Sequence, residues 1–311
     1  MASFDPLVPT IFHEPWWLSA ATKGRAEVVE VTEGGRTVGR LPYVMESRLG
    51  LHSSNMPTLT HFLGPGINDG AGSEPNRFVK RQSITRDLIQ KLPQLSSFRQ
   101  KMHRGVKDVL AFQAEDFQVT VQFTFEVQPA AHDVLWKGMR DKTRNVIRRA
   151  EESHRVSSAM APEAFFRFYA TNLKAKGENA NIDFATCEDV ARKALDRGRG
   201  HFWAAMDEKG TPKAAVFCVW DAKLYYYMLS TRAPDSGNGA IPLLIWNAMK
   251  SAASMGLVFD FDGVANAGSI LLYSGFGGMT SPRYIVMKSS AFYKTLREIR
   301  RVNPDLSNRF V

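Results

Sequence analysis

Only two cysteines, Cys187 and Cys218, stand in a chain of 311 residues, and neither belongs to a Cys-x-x-Cys pair or a histidine-rich cluster with ligand spacing. A disulfide framework and a structural zinc site are thereby excluded as organising principles, and a reducing, cytoplasmic setting is expected. Long hydrophobic runs are missing as well. No stretch of about 18 apolar residues occurs, and the opening MASFDPLVPTIFHEPWWLS has no basic segment ahead of an apolar one, so neither a membrane span nor an export signal is expected. The Gly-x-Ser-x-Gly elbow, the phosphate-binding P-loop, the His-Glu-x-x-His zinc helix and the HHxxxDG motif of condensing acyltransferases are all absent. His103, His132 and His154 stand singly in polar segments and read as surface side chains, so no nucleophile-base triad can be assembled. Acidic residues are the scarcer charge, 31 against 40 Lys and Arg, which gives a net charge of +9 and a pI near 9.6. That balance favours an anionic partner such as nucleic acid, a phosphate ester or a nucleotide cofactor, or describes a merely soluble basic surface.

With 44% hydrophobic and 23% charged residues the composition is that of a globular protein, and the length suits one large domain or two of about 150 residues. Two are expected. A helix around Trp16 to Thr22 precedes the strands AEVVEVTE and TVGRLPYVME, which Gly34-Gly35 joins as a hairpin. A Gly-, Pro- and Asn-rich loop from Gly64 to Asn76 leads to an amphipathic helix around SITRDLIQKL, and Val119, Val121, Phe123 and Phe125 alternate as one face of a strand. Residues 132 to 152 read as one helix, because Trp136, Met139, Thr143, Ile147 and Ala150 recur at helical spacing. Beside them runs a basic stripe of Lys137, Arg140, Arg144 and Arg148. It is either a solvated face with i,i+4 ion pairs or a phosphate-binding ridge.

Further along, APEAFFRFYATNL and the segment from Cys187 to Arg197 read as helices, separated by the polar loop KAKGENANIDFA. HFWAAM, KAAVFCVW and LYYYMLST form an antiparallel meander. RAPDSGNGA opens the helix IPLLIWNAMKSAASMG; LVFDFDG is a strand, SILLYSGFG a short helical connection, PRYIVMKSS the last strand and AFYKTLREIRR a final helix. In LVFDFDG, strand alternation sends Phe259 and Phe261 to a core face and Asp260 and Asp262 to the other. Gly277 and Gly278 read as a bend.

Three strands, a glycine-containing loop opening a helix, a strand, a short helix and a last strand resemble the acyl-CoA N-acetyltransferase core. FDFDG followed by FGG, a Pro-x-Tyr strand and a Lys is similar to the carboxy-terminal signature of the FemAB-like aminoacyl transferases and their BioF2-like relatives. WKGMRDKTRNVIRRAEES resembles that family's basic helix, and TIFHEPWWL its amino-terminal element. The resemblance implies an α/β protein of two tandem acetyltransferase-like domains, residues 1–127 and 128–311, with mixed, largely antiparallel sheets. It implies an N-acyltransferase in which an amine attacks the donor carbonyl directly, the donor being acyl-CoA or an aminoacyl-tRNA and the acceptor a small-molecule or peptide amine. No tightly bound cofactor or metal is implied. The donor's phosphates are expected at Arg232, Gly237 and Gly239 of the loop, where backbone N–H groups and a helix N-terminus meet an anion, and on the ridge of Lys137, Arg140, Arg144 and Arg148. Asp262 is expected to take a proton from the amine and Tyr273 to supply one to the leaving group. Many Fem-like transferases carry Lys where this chain has Tyr273. Tyr227, Arg283 and Lys288 are candidates for contact with the substrate. A rival expectation is a non-catalytic protein on the same fold that binds RNA or an anionic metabolite.

Overall fold

The computed structural model describes residues 4–48, 50–177, 182–264, 266–291 and 293. Part of the polar loop KAKGENANIDFA and nearly all of the expected final helix AFYKTLREIRR lie outside them. The chain forms two compact units that interleave in sequence. The first holds Glu14–Ala21 and Gln122–Pro282; the second holds Asp5–His13, Thr22–Val121 and the segment from Arg283 onwards.

Helix α1 (Pro15–Thr22) leads into strands β1 (Ala26–Glu33) and β2 (Arg36–Val44), which pair antiparallel across the expected hairpin. Strands β3 (Glu46–Arg48), β4 (Leu51–Ser54) and β5 (Gly66–Ile67) are short, and β5 extends the hairpin at β2. Helix α2 (Glu74–Gln90) begins nine residues before SITRDLIQKL, with Ser73 as N-cap and a proline in its first turn. It presses Ile84 and Leu88 onto β2 at Gly39, where any side chain would lie 2.4 Å from the Ile84 methyl. Strand β6 (Ser97–Lys101), helix α3 (Leu110–Ala114) and strand β7 (Gln118–Val127) follow. A second core of this unit joins Phe98, Met102, Phe112, Phe117 and Val286.

One histidine of the second unit departs from the sequence reading. His103 is buried rather than exposed, and its ring meets that of buried His13 edge-on at 5.3 Å. His13 Nε2 donates to the Gly64 carbonyl at 3.1 Å, which leaves Nδ1 to accept from the Thr10 hydroxyl at 2.8 Å. His103 does the same with the Pro65 carbonyl and the Gly105 amide, both at 3.1 Å. Backbone groups and the Thr10 hydroxyl therefore satisfy both imidazoles in the neutral form, which is what permits their burial. Burial foremost, with His103 beside it, pushes His13 down to about 3, and burial drives His61 to about 3 as well.

In the first unit, residues 132 to 152 form two helices, not one: α4 (His132–Gly138) and α5 (Asp141–Ser153). Met139 and Arg140 between them are extended, with ψ of 154° and 143°. Gly138 is a poor helix former, and the freed carbonyls at the end of α4 are taken by Arg144, whose Nη1 donates to Lys137 O at 3.0 Å and Met139 O at 2.7 Å. The apolar stripe survives the break, since Met139, Ile147 and Ala150 remain buried in one core.

After β8 (Arg155–Ser157) come helices α6 (Pro162–Ala175) and α7 (Phe184–Asp196), the latter capped by Asp183, whose carboxylate accepts the Thr186 amide. Strands β9 (Gly200–Met206), β10 (Pro212–Trp220) and β11 (Leu224–Arg232) make the expected meander. Helix α8 (Ala240–Ser254) then crosses to β12 (Val258–Asp260), which lies parallel to β11. Helix α9 (Ala267–Ser274) and strand β13 (Met279–Ser289) complete the described chain. Strand order in this unit is β7-β12-β11-β10-β9-β8, a mixed, largely antiparallel sheet. The second unit orders β3-β4-β6-β13 similarly.

Two strand expectations need correction. Val121 and Phe123 of β7 are 45% and 53% exposed, so the alternating face is buried only at its end, where Phe125 and Val127 enter the core. The strand expected over LVFDFDG stops at Asp260; Asp262 adopts φ of +61° and turns the chain away. Both Phe259 and Phe261 are in the core. Among the described residues no helix is long and apolar enough to cross a membrane.

Candidate active site

The site is organised by where β11 and β12 part. Their pairing ends at Tyr226 opposite Asp260, while β11 runs on to Arg232. Parallel strands with a crossover helix place ligands in the crevice beyond their carboxyl ends. The loop from Arg232 leads from the end of β11 to the N-terminus of α8, and the turn at Asp262 leads from the end of β12 to helix α9.

A cavity of about 240 Å³ opens in this region, lined by Arg140, Lys142 and Thr143 at the start of α5, Asn238 and Pro242 at the start of α8, and Leu271 and Leu272 of α9. Arg140 and Lys142 are exposed and form no ion pair among the described residues. The Arg140 amide donates to the Gly275 carbonyl at 3.0 Å, which fixes this basic corner against the end of α9. Two helix N-termini and two uncompensated cations converge here, an arrangement suited to an anionic group.

The other basic candidates are otherwise engaged. Arg144 caps α4 and pairs with Asp141. Arg148 stacks over Trp136 at 5.5 Å and reaches Asn145, and Lys137 pairs with Asp133 at 3.4 Å. The break between α4 and α5 divides the stripe, so it forms no continuous ridge. Arg232 donates to the Gly237 carbonyl at 3.3 Å, and Asp235 is neutralised by Lys213 at 2.7 Å. Gly237 sits in open space at φ of +68°. Gly239 serves packing: a side chain there would meet Ala150 at 2.8 Å and the Val146 carbonyl at 2.9 Å, so its absence lets α8 close onto α5.

The glycines after α9 have a related role. A side chain on Gly275 would overlap the Thr143 hydroxyl, and one on Gly277, whose φ is +78°, would lie 2.6 Å from the Gly138 carbonyl. The expected bend at Gly277 is present, and it docks α9 on the corner that carries Arg140.

Tyr273 stacks on Phe261 at 4.4 Å and meets Tyr227 edge-on at 6.1 Å, so α9 brings the phenol next to the residue that precedes Asp262. Burial pushes the Tyr273 phenol up, and Tyr227 further still; both stay protonated at neutral pH. Tyr227 is 5% exposed and belongs to the core with Phe259 and Phe261. Tyr226 points to the opposite face, where its hydroxyl donates to Asp221 at 2.8 Å. Arg283 and Lys288 belong to the second unit: Arg283 is buried and lies over Phe62, while Lys288 donates to the Glu115 carbonyl at 2.8 Å. Sequence reasoning missed Lys142, Thr143 and Asn238. Lys142 falls off the counted stripe, and Asn238 lies between the two glycines read as the anion contact. Among the described residues no cluster of His, Cys, Asp or Glu is placed to hold a metal ion.

Residues 137–268 match the acetyltransferase (GNAT) domain family. That segment, less than half of the chain, carries the likeness to the GNAT family. A comparison with curated proteins finds no match. Among solved structures the chain is similar in fold to FemX, at 10% identity and a TM-score of 0.63 over 87% of this chain and 90% of that one. It is similar to the structure of L-PGS from Bacillus licheniformis, at 12% identity and a TM-score of 0.53, with 91% of each chain covered. A tandem GNAT protein from the clavulanic acid biosynthesis pathway aligns at 11% identity and a TM-score of 0.51 over 85% of this chain and 83% of that one. The shared architecture is the tandem GNAT fold.

Proposed function

We propose that this protein is an acyltransferase that moves an acyl group from acyl-CoA to a primary amine by direct attack, with the domain from residue 128 onwards carrying the donor site. The observation that carries the reading is the pair of uncompensated cations, Arg140 and Lys142, at a cavity bounded by the N-termini of α5 and α8. Charge confined to two side chains suits the compact phosphates of acyl-CoA better than the extended backbone of a tRNA, which needs a track of contacts. The engagement of Arg144, Arg148 and Lys137 elsewhere supports the same choice.

In the proposed reaction the amine lone pair forms the new C–N bond as the C–S bond of the thioester breaks. Asp262 takes the ammonium proton, and Tyr273 gives its phenolic proton to the departing thiolate. Buried Tyr273 holds that proton at neutral pH, which fits an acid and disqualifies it as the base. A non-glycine residue at φ of +61° carries backbone strain of about 1 kcal/mol or more, and such strain concentrates at working sites. Holding donor and amine together supplies the remainder of the rate enhancement without a covalent enzyme intermediate.

Calorimetric titration with CoA tests the donor site. Replacing both cations, Arg140→Gln with Lys142→Gln, is expected to weaken CoA by about 10- to 100-fold, since each charge-assisted contact contributes about 1.5–3 kcal/mol and exposed groups surrender part of it. Unchanged CoA affinity would remove the cavity from the donor site. Retained tRNA binding in a wild-type protein that ignores CoA would reverse the choice of donor.

A further inference from the structure

Asp260 was expected to share with Asp262 the strand face opposite the core, yet it is fully buried. Its Oδ1 accepts two hydrogen bonds at 2.7 Å each, one from the Thr124 hydroxyl and one from the Asp262 amide. The Thr124 hydroxyl oxygen in turn accepts the Gly263 amide at 3.0 Å. Consecutive amides at 262 and 263 are thus tied to one side-chain pair, and the residue between those ties is the one with left-handed φ. Gly263 continues at φ of +103°, and a side chain on it would meet Gln122 at 3.0 Å, so β7 presses on the turn from the same side.

Without these bonds an aspartate would relax out of the left-handed region, which disfavours residues with a Cβ. The backbone conformation of residue 262 determines where its carboxylate stands. We propose that Asp260 and Thr124 are positioning residues: they form a latch that holds Asp262 at the end of β12 in its left-handed conformation and so sets the position of the proton acceptor. The inference rests on the reading of Asp262 as that acceptor. Asp260 transfers no proton in this scheme. Its role is that of an acceptor with two bonds converging on one oxygen, and the amide oxygen of asparagine can fill it. Thr124 must both donate and accept, which serine reproduces and valine, of nearly the same shape, does not.

The test follows thiol release from acetyl-CoA with a panel of primary amines, together with hydrogen exchange at the amides of Asp262 and Gly263. Thr124→Val is expected to lower kcat by about 10- to 100-fold, the scale of a misplacement near 1 Å, with KM for acetyl-CoA unchanged. Thr124→Ser restores the rate to within a few-fold of wild type, as does Asp260→Asn. Both amides are expected to exchange at least tenfold faster in Thr124→Val and to keep wild-type protection in Thr124→Ser. A wild-type rate in Thr124→Val, or a Thr124→Ser enzyme as slow as the valine variant, overturns the latch. Loss of activity in Asp260→Asn equal to that in Asp260→Ala also overturns it, because charge would then matter rather than acceptance. Asp262→Asn separates the two levels. If that variant keeps full activity, the reading of Asp262 fails; if it is slow while Thr124→Val is fast, only the latch fails. Should no amine in the panel support turnover, exchange decides: unprotected amides at 262 and 263 in the wild-type protein sink the proposal.

Discussion

Two neutral imidazoles in the second unit make its stability depend on pH. His13 is held near 3 in the folded chain and returns to about 6.5 on unfolding, so the unfolded state binds the extra proton between those values. The stabilisation is complete above the unfolded pKa and is lost as pH falls from about 6.5 towards 3. Between pH 7 and pH 5 the loss from His13 is about 2 kcal/mol, and His61 acts in the same direction. Urea unfolding at those two pH values is expected to show a lowered midpoint at pH 5, with a smaller drop in His13→Gln. Arg144 makes a second prediction at this scale. Its bonds close the end of α4, so Arg144→Ala should cost about 1–3 kcal/mol in chemical denaturation while leaving CoA affinity within about threefold, the outcome for a cap rather than a phosphate ligand. The sequence shows a cation at position 144 but not that three carbonyls claim it.

Among the elements, the glycines around α9 and α8 separate backbone strain from close approach. Gly237→Ala adds only the left-handed penalty of about 1 kcal/mol, because open space surrounds it. Gly239→Val drives a side chain into α5 and should cost about 1–3 kcal/mol or more in thermal unfolding. Gly277→Ala combines both effects, and its expected loss is the largest of the three. It also shifts the corner that carries Arg140, so CoA affinity should fall with it, which titration alongside melting curves would detect. These contrasts explain what was legible. The β1–β2 hairpin and the β9–β10–β11 meander were readable because alternation and turn residues are local properties. The division between α4 and α5 was not, since the apolar spacing from Trp136 to Ala150 continues across it, and the chain breaks where Gly275 and Gly277 approach from far along the sequence. Strand β12 was overrun for a similar reason: Phe261 continues the apolar pattern of Phe259, and only the side chains of Asp260 and Thr124 show that the extended backbone has ended.

For the molecule as a whole, a net charge of +9 ensures attraction to any polyanion, and that attraction is distinct from recognition. Binding of tRNA is expected to weaken steeply with salt, to be the same for charged and uncharged species, and to change little in the Arg140→Gln, Lys142→Gln pair. CoA binding should show a shallower salt dependence and respond strongly to the same pair. A charge difference between tRNA species in filter binding would count against the compact donor. Overall charge, fold class and the order of elements from β9 to β13 were open to reading from the chain, whereas the interleaving of the two units depends on pairings between distant strands. Strand β7 has a consequence for anyone who cuts the gene at the apparent junction. Its Val127 and Glu126 pair with Phe259 and Asp260, and Thr124 reaches Asp260 across 136 positions. A fragment beginning at residue 128 would contain the carboxy-terminal signature yet leave β12 a bare edge, open to pairing with other chains. Such a fragment should aggregate, and adding the missing strand as a peptide covering residues 118–127 should rescue it, much as a split protein recovers when its halves are mixed.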